Sequence, residues 1–206
     1  VSMVDGLDLE EHGWYKHVSG DEQSLINDRV NALLKDSEGD IWFATDNGIS
    51  CYFSRTGKWR HVASDLSCKQ YTSLCEISPG KICAGNYMHG LFIISKDKMK
   101  TGSRYADIPF VNVLLRKDAD NIWVGTDAGL SLFNVKDTTL KPIGFSGYHR
   151  VPVCALYEEK SGLYIGTRGY GMFVVTPGQK EAKLQTSGDI RNISFILPDK
   201  EKLLVV

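Results

Sequence analysis

Ligand-binding chemistry is concentrated in two recurring places of the chain, short polar turns and the links that precede apolar segments. Both places combine aromatic rings with guanidinium groups, carboxylates and amides. Aromatic rings cover the apolar face of a pyranose, and the polar groups form directional hydrogen bonds with hydroxyls or acidic groups. The turns are Asp46-Asn47, Asn86 to His89, Asp127-Ala128 and Arg168 to Tyr170. The links are Asp28-Arg29, Arg104-Tyr105, Tyr148 to Arg150 and Arg191-Asn192.

Ten of these side chains are the candidate ligand-binding residues. They are Tyr87, His89, Arg168, Tyr170, Arg29, Asp46, Asp127, His149, Arg150 and Arg191. The arginines favour an anionic or sulfated saccharide, because guanidinium groups form charge-assisted hydrogen bonds with anions. The lengthened turns at Tyr87 to His89 and Arg168 to Tyr170 are the strongest candidates. Exposed loops of any fold are polar, so each residue also fits an ordinary surface role.

Catalytic and metal-binding signatures are missing from the sequence. It has no Gly-x-Ser-x-Gly, no His-Glu-x-x-His and no phosphate-binding glycine loop. The acids in Glu10-Glu11 and Glu158-Glu159 are sequence neighbours that point in different directions, so neither pair suits acid–base catalysis. We therefore predict no catalytic residue, no metal and no cofactor, with a lyase or hydrolase using His89 or His149 as the less favoured alternative. The histidines expected to be plain surface or strand-edge residues are His12, His17 and His61.

Composition places the chain among ordinary globular proteins. Its 206 residues include 24 Lys+Arg against 25 Asp+Glu, a formal net charge of -1, and 42% of them are hydrophobic. This balance excludes a disordered chain and argues against a nucleic-acid binder, which carries a basic excess. No apolar run approaches the roughly 18–20 residues that span a bilayer. No signal-peptide pattern is present and the sequence stops inside the apolar run 203–206, so we expect a piece of a longer protein.

The five cysteines are expected to act mainly as small buried hydrophobic residues. None belongs to a Cys-x-x-Cys motif, which argues against a zinc ribbon or a thioredoxin-type site. All except Cys68 lie in apolar, strand-like runs, where cysteine is commonly buried. The odd number leaves at least one thiol outside any internal disulfide, and the sequence does not say whether the others pair. The five are Cys51, Cys68, Cys75, Cys83 and Cys154.

A repeat of about 40 residues organises these turns and links. Five apolar segments begin 41, 40, 41 and 40 positions apart: 41–45, 82–86, 122–126, 163–167 and 203–206. A glycine follows each complete copy, at Gly48, Gly90, Gly129 and Gly171. An apolar residue precedes each copy by 10 or 11 positions, at Val30, Tyr71, Val111, Val153 and Ile193. Three sequence features that recur at nearly constant spacing over five copies indicate a repeat protein.

Each repeat has the pattern of four short strands and no helix. In the first copy, apolar segments at 30–34, 41–45, 49–53 and 59–62 are separated by turn residues such as Asp, Asn, Gly and Ser. Four strands in about 40 residues predict an all-β fold, a β-propeller built from four-stranded antiparallel blades. The predicted boundaries are 1–26 for the end of one blade, 27–66, 67–107, 108–148 and 149–188 for four full blades, and 189–206 for half of another. The first of these segments is predicted to contain a strand at 15–18, and the last is predicted to contain strands at 193–197 and 203–206. The two half blades could meet and close a five-bladed ring, but we expect all of these blades to belong to a larger, seven-bladed ring, which needs about 280 residues.

The repeat unit closely resembles the two-component regulator propeller repeat. The likeness is plainest in Ile122-Trp123-Val124-Gly125-Thr126-Asp127-Ala128-Gly129-Leu130 and in 41–49, and it covers nearly the whole chain. Departures from the pattern are Cys83 and Asn86 in the second copy and Tyr164 in the fourth. Trp42, Trp123 and Tyr164 are expected to pack between blades.

The resemblance implies a sensor function. In that family, the repeats form the periplasmic region of hybrid two-component systems, notably in gut Bacteroidetes. They precede a β-sandwich, a membrane helix and a histidine kinase, and oligosaccharides are the usual signals. We therefore expect a periplasmic, non-enzymatic propeller that binds an oligosaccharide, contacts further blades and a β-sandwich of its own chain, and forms a homodimer. It would contact no nucleic acid and carry no membrane segment. The alternative is a scaffold for protein interaction or dimerisation.

Overall fold

The computed structural model describes residues 2–4, 11–106, 108, 110–185, 190–199 and 202–206. Over these residues the secondary structure consists of β-strands, turns and bends. No helix in the described part of the chain is long and apolar enough to cross a membrane. The chain divides into two compact units. The first unit comprises Val1–Asn86 and Phe92–Ser103, and the second comprises Tyr87–Leu91 and Arg104–Val206.

The strands form four successive four-stranded sheets, which we call blades I to IV. Blade I contains β3 (Val30–Lys35), β4 (Ile41–Thr45), β5 (Gly48–Phe53) and β6 (Lys58–His61). Blade II contains β7 (Tyr71–Ser78), β8 (Lys81–Asn86), β9 (Gly90–Ser95) and β10 (Lys100–Ala106). Blade III contains β11 (Val111–Arg116), β12 (Asn121–Thr126), β13 (Gly129–Asn134) and β14 (Leu140–Phe145). Blade IV contains β15 (Val153–Glu159), β16 (Gly162–Thr167), β17 (Met172–Val175) and β18 (Glu181–Leu184).

Two further strand pairs lie outside the four blades. One pair joins β1 (Ser2–Val4) to β2 (Glu11–Trp14), and the other joins β19 (Ile196–Asp199) to β20 (Lys202–Val205). The outermost strands of blades III and IV pair in parallel, Gly144 with Glu181 and Phe145 with Ala182. This repetition of antiparallel four-stranded sheets confirms the predicted all-β propeller fold.

The first two strands of every blade pair in an equivalent register. In each blade the pairing of the first strand is interrupted by a shift in register near its start. The first pair after this shift is Ala32 with Ala44, Ser73 with Gly85, Val113 with Gly125, or Ala155 with Gly166. A Cβ placed on Gly125 would lie 2.6 Å from the Cγ1 atoms of both Val113 and Val153. At Gly166 it would lie 2.5 Å from Cγ2 of Ile193. Only a very small residue fits, because the adjacent chains approach so closely.

The tryptophans of the repeat fill the space between neighbouring blades. Trp42 of blade I is fully buried in one cluster with Tyr71 and Ile82 of blade II. Trp123 of blade III is buried in another cluster with Val153 of blade IV. Tyr164 is half-buried and packs beside a cluster formed by Ala155, Ile193 and Ile196. The prediction that these three aromatic residues pack between blades is therefore confirmed.

The cysteines also occupy the predicted environments. Cys51, Cys75 and Cys83 are buried, and Cys68 and Cys154 are half-buried. All five are thiols. Burial raises the pKa of the Cys51 thiol to about 12 and that of Cys83 well above its usual value, so both stay protonated at neutral pH. Cys51, Cys75 and Cys83 therefore act as small apolar side chains of the core.

Three local predictions from the sequence were wrong. The segment 15–18 is not a strand: the pairing segment is β2, and the Tyr15 ring instead packs 5.8 Å from that of Phe43. The strand predicted to begin at Ile193 begins at Ile196, because Ile193 is buried against blade IV. Arg104 and Tyr105 lie within β10 and not in a link. The Tyr105 ring packs 6.2 Å from that of Phe133, which removes it from the candidate surface.

Candidate ligand-binding site

Backbone hydrogen bonds join the turn between the second and third strands to the residue that precedes the first strand of the same blade. The Asp46 N–H donates to the Arg29 carbonyl at 3.1 Å in blade I. In blade III the Asp127 N–H donates to the Phe110 carbonyl at 3.3 Å, and in blade IV the Arg168 N–H donates to the Pro152 carbonyl at 2.9 Å. The repeat thus places a turn and a link side by side in each of these blades, and the residue types at those two positions decide the local chemistry.

In the first unit, the two predicted residues Arg29 and Asp46 bind each other. Nε of Arg29 lies 3.0 Å from Oδ2 of Asp46. The other carboxylate oxygen accepts hydrogen bonds from Asn31 Nδ2 at 2.9 Å and Gln70 Nε2 at 3.2 Å. Both oxygens of Asp46 are therefore occupied by protein donors, and the charges of Arg29 and Asp46 offset each other.

In the second unit, the equivalent aspartate is arranged differently. Oδ1 of Asp127 accepts a hydrogen bond from Asn112 Nδ2 at 2.8 Å, as Asp46 does from Asn31. Its arginine neighbours come from blade IV and the link before it. Nη1 of Arg168 lies 3.9 Å from Oδ1 of Asp127, and Arg150 donates from Nε to the main-chain carbonyl of Asp127 at 3.3 Å. One guanidinium group thus forms a long ion pair with the carboxylate and the other binds the main chain, which leaves two positive side chains beside one negative side chain.

The lengthened turn of blade IV is fixed by its backbone while its arginine stays accessible. The N–H groups of Gly169 and Gly171 both donate to the Arg191 carbonyl at 2.9 Å, which ties this turn to the following link. Gly169 has a φ of 93°, a conformation that glycine adopts readily. The Arg168 side chain is nevertheless 62% exposed. An arginine held on a rigid turn suits anion binding, because little backbone ordering is left for the ligand to impose.

A polar cavity of about 260 Å³ opens beside Arg168. Its lining combines the Asn112 amide with groups from blade IV and the next link. Burial raises the pKa of the half-buried Cys154 thiol in spite of the opposing effect of Arg168, so no thiolate offsets the arginine charge at neutral pH. The lining residues are Asn112, Cys154, Arg168, Asn192, Ile193 and Ser194.

Two pairs of aromatic rings lie in the turns and links that contact this charged region. The Tyr170 ring packs edge-on against Tyr148, with ring centroids 5.4 Å apart. The Tyr87 ring packs edge-on against Phe110 at 5.1 Å, and the Phe110 N–H donates to the Tyr87 carbonyl at 2.8 Å. Tyr87 and Tyr170 are exposed. Phe110 was missed by the sequence analysis, although its position directly before the recurring apolar residue Val111 could have identified it as a link residue.

Two predicted histidines are placed less favourably. His149 lines a separate cavity of about 370 Å³ together with apolar residues such as Leu130, Ile143 and Phe145. His89 is half-buried in the turn of blade II. The six predicted residues that hydrogen bonds and ring contacts of the second unit bring together are Tyr87, Asp127, Arg150, Arg168, Tyr170 and Arg191.

The first unit also contains a largely buried ionic cluster that was not predicted from the sequence. Asp36, Glu38 and Asp40 could hold a metal ion by their residue types. A protein cation occupies the position: Nζ of Lys96 lies 2.6 Å from an oxygen of each carboxylate. Burial alone would lower the pKa of Lys96, but its hydrogen bonds to the three carboxylates raise it. Asp36 also accepts a hydrogen bond from Trp42 Nε1 at 2.9 Å, so the cluster supports the core.

Sequence comparison supports the resemblance that the repeat suggested. Residues 24–47 match the family described as "Two component regulator propeller". The match covers β3 and β4 of blade I and the turn that contains Asp46. Among curated proteins, none matches the chain.

Two solved structures similar to the chain come from Bacteroides thetaiotaomicron. One is described as the extracellular domain of a hybrid two component system, BT3049, with 22% identity and a TM-score of 0.75 over 94% of this chain and 27% of that one. Another is described as the extracellular domain of the hybrid two component system BT4673, with 17% identity and a TM-score of 0.59 over 94% of this chain and 34% of that one. These likenesses show a shared fold. The chain spans about a third or less of either structure.

Proposed function

We propose that the chain is part of an extracytoplasmic sensor propeller that binds an anionic oligosaccharide. One observation carries the ligand class: Arg168 forms only a long ion pair with Asp127, and Arg150 binds the main-chain carbonyl of the same residue, beside exposed tyrosines. Guanidinium groups pair with carboxylates or sulfates, and aromatic rings take the apolar faces of sugar rings. The family match and the likeness to extracellular domains of two-component systems support the sensor role.

The remaining steps of signalling lie outside the chain in this proposal. The chain spans 27% of the BT3049 structure, so further blades and a β-sandwich would complete the sensor region. We place it in the periplasm, where it passes ligand binding to a histidine kinase through a homodimer. A dimer suits this role because a ligand signal must alter the relation between two kinases. We assign no catalytic residue to it.

Ligand-dependent stabilisation tests the proposal. Thermal unfolding would be measured with neutral and anionic oligosaccharides, both for the 206-residue chain and for the longer extracellular region. A specific ligand at about 100 times its dissociation constant should add about 2.7 kcal/mol of apparent stability. Arg168→Ala should abolish this gain. Arg116→Ala is the matched control, because Arg116 is an exposed arginine of the same unit that donates from Nε to the Asp118 carbonyl, away from the turns and links described above.

The variants also locate the site. A gain that survives Arg168→Ala but disappears with Arg29→Ala would move binding to the first unit. A gain unaffected by either change would keep the sensor and discard this site. The absence of any gain with every saccharide would reject the proposed ligand class.

A protein-interaction scaffold is the second candidate. Exposed apolar residues lie on and beside the last strand pair, namely Phe195, Leu197 and Leu204. The remaining strands of this half blade would cover part of this surface in the longer protein, and exposed apolar patches that stay uncovered commonly mark protein contacts. Concentration-dependent association without any saccharide response would favour this function over ligand sensing.

A further inference from the structure

The exposed aromatic pair in the turn and link between blades II and III is the feature that the charged site leaves unexplained. Phe110 is 37% exposed and Tyr87 is 38% exposed, and their rings are 5.1 Å apart with an interplanar angle of 74°. The side chain of Met88 beside them is also exposed. Burial in the core therefore does not account for placing two aromatic rings here.

The backbone of Phe110 adopts an unfavourable conformation. Its φ is 59°, in the left-handed region that bulky L-residues rarely adopt. The equivalent positions before the first strands of blades I, II and IV are Arg29, Gln70 and Pro152, and none of these has a positive φ. Non-glycine residues in this region cluster at binding and catalytic sites, where the surrounding structure maintains the strain. Here the strained backbone carries an exposed aromatic ring, and packing of that ring contributes little energy to offset the strain.

Hydrogen bonds connect this pair directly to the charged region. The Phe110 carbonyl accepts the N–H of Asp127, and the Phe110 N–H donates to the Tyr87 carbonyl. Asp127 is the residue that Arg150 and Arg168 approach. An apolar ring surface and two guanidinium groups therefore lie next to each other in one unit.

We propose that Phe110 and Tyr87 form a stacking platform for one pyranose ring of the ligand, next to the ring whose carboxylate or sulfate binds Arg150 and Arg168. The ligand class is thus an oligosaccharide in which an acidic sugar adjoins a ring with an unsubstituted apolar face. The inference rests on the proposed function and adds to it a binding residue with a strained backbone. Phe110 contributes stacking, and its left-handed conformation is maintained at the expense of stability.

Two substitutions separate stacking from strain. Phe110→Leu keeps an apolar side chain but removes the aromatic ring. Phe110→Gly removes the side chain and also relieves the strain, because glycine adopts a positive φ readily. Phe195→Leu is the matched control, since Phe195 is an exposed phenylalanine of the same unit outside the proposed site.

The probes are tetragalacturonate, its fully methyl-esterified form and a chondroitin sulfate tetrasaccharide. Binding would be measured by calorimetry, and stacking by the upfield shift of sugar C–H resonances on the aromatic face. An acidic probe should bind the wild-type chain, and the esterified probe should bind weakly because it lacks charge. Phe110→Leu should weaken binding about tenfold and remove the upfield shift. Phe110→Gly should weaken binding similarly and raise the melting temperature, whereas Phe195→Leu should change neither.

The outcomes distinguish the two proposals. If an acidic probe binds wild type and Phe110→Leu equally well, with the upfield shift retained, the platform is refuted and the proposed function stands. If Phe110→Gly lowers the melting temperature, the strain argument is refuted, and Phe110→Leu alone decides the stacking. If neither acidic probe binds the wild-type chain, both the platform and the proposed acidic ligand are refuted.

Discussion

Replacing Lys96 by Met tests how the buried ionic cluster of the first unit stabilises the fold. The Lys96 side chain is 6% exposed, and its ammonium group lies 2.6 Å from oxygens of Asp36, Glu38 and Asp40. The Asp36 side chain is 1% exposed, so it cannot recover the lost partner by turning to water. Removing one member of a buried ion pair typically costs about 3–5 kcal/mol, because the remaining charge is left uncompensated. We expect Lys96→Met to lower the free energy of unfolding by about that amount at pH 7.

The pH dependence of this loss of stability shows whether uncompensated charge causes it. In the wild-type chain, burial would raise the pKa of Asp36, but hydrogen bonds from Lys96 and Trp42 lower it below its usual value. The stability that Asp36 contributes is therefore present above its unfolded pKa and is lost only as the pH falls through its lower folded pKa. In Lys96→Met, Asp36 loses the cation that lowers its pKa, so its pKa rises and mild acid protonates it. The difference between wild type and variant should therefore shrink from pH 7 to pH 5.

Urea unfolding followed by tryptophan fluorescence suits this test, because the Trp42 indole is hydrogen-bonded to the cluster. Lys136→Met serves as the control: Lys136 lies 2.8 Å from Asp120 but is 73% exposed, so its removal should leave the unfolding midpoint unchanged. A loss of unfolding free energy below about 1 kcal/mol at pH 7 would refute the argument that Lys96 compensates the negative charge of the three carboxylates. A loss that stays constant down to pH 5 would show that the variant suffers from poor packing and not from uncompensated charge.

Two further substitutions test the packing between strands. Ser73→Ala should stabilise the chain by about 1 kcal/mol in urea unfolding, because the buried Ser73 hydroxyl has no hydrogen-bond partner among the described residues. Alanine already occupies the equivalent positions Ala32 and Ala155, and a destabilised Ser73→Ala would reveal a partner for the hydroxyl. Gly125→Ala should lower stability by about 1–3 kcal/mol in the same assay, because its Cβ would lie 2.6 Å from two valine methyl groups. An unchanged midpoint would mean that these valines move apart easily.

The fold was predictable because its determinants are local and repeated. Apolar segments about 40 residues apart, each followed by a turn and a glycine, specify a strand pattern that the chain repeats with little variation. The Lys96 cluster was not predictable, because the lysine lies 58 and 60 residues from Glu38 and Asp36 and no spacing rule joins them. The position of Phe110 directly before Val111 marks it as a link residue, but its strained backbone was not predictable, since a positive φ in a non-glycine residue leaves no mark on the sequence.

The contrast between Asp46 and Asp127 explains why a repeated sequence yields different surfaces. Both aspartates follow the second strand of a blade, and both accept a hydrogen bond from an asparagine of the first strand. In blade I the residue before the first strand is Arg29, which pairs with Asp46 and neutralises it. In blade III that position holds Phe110, the Asp127 carboxylate lies 3.9 Å from Nη1 of Arg168, and Arg150 donates to the Asp127 main-chain carbonyl. Two differences therefore separate these surfaces: Phe110 replaces the arginine that would pair with the aspartate, and the following blade supplies Arg168 where blade II has Tyr87.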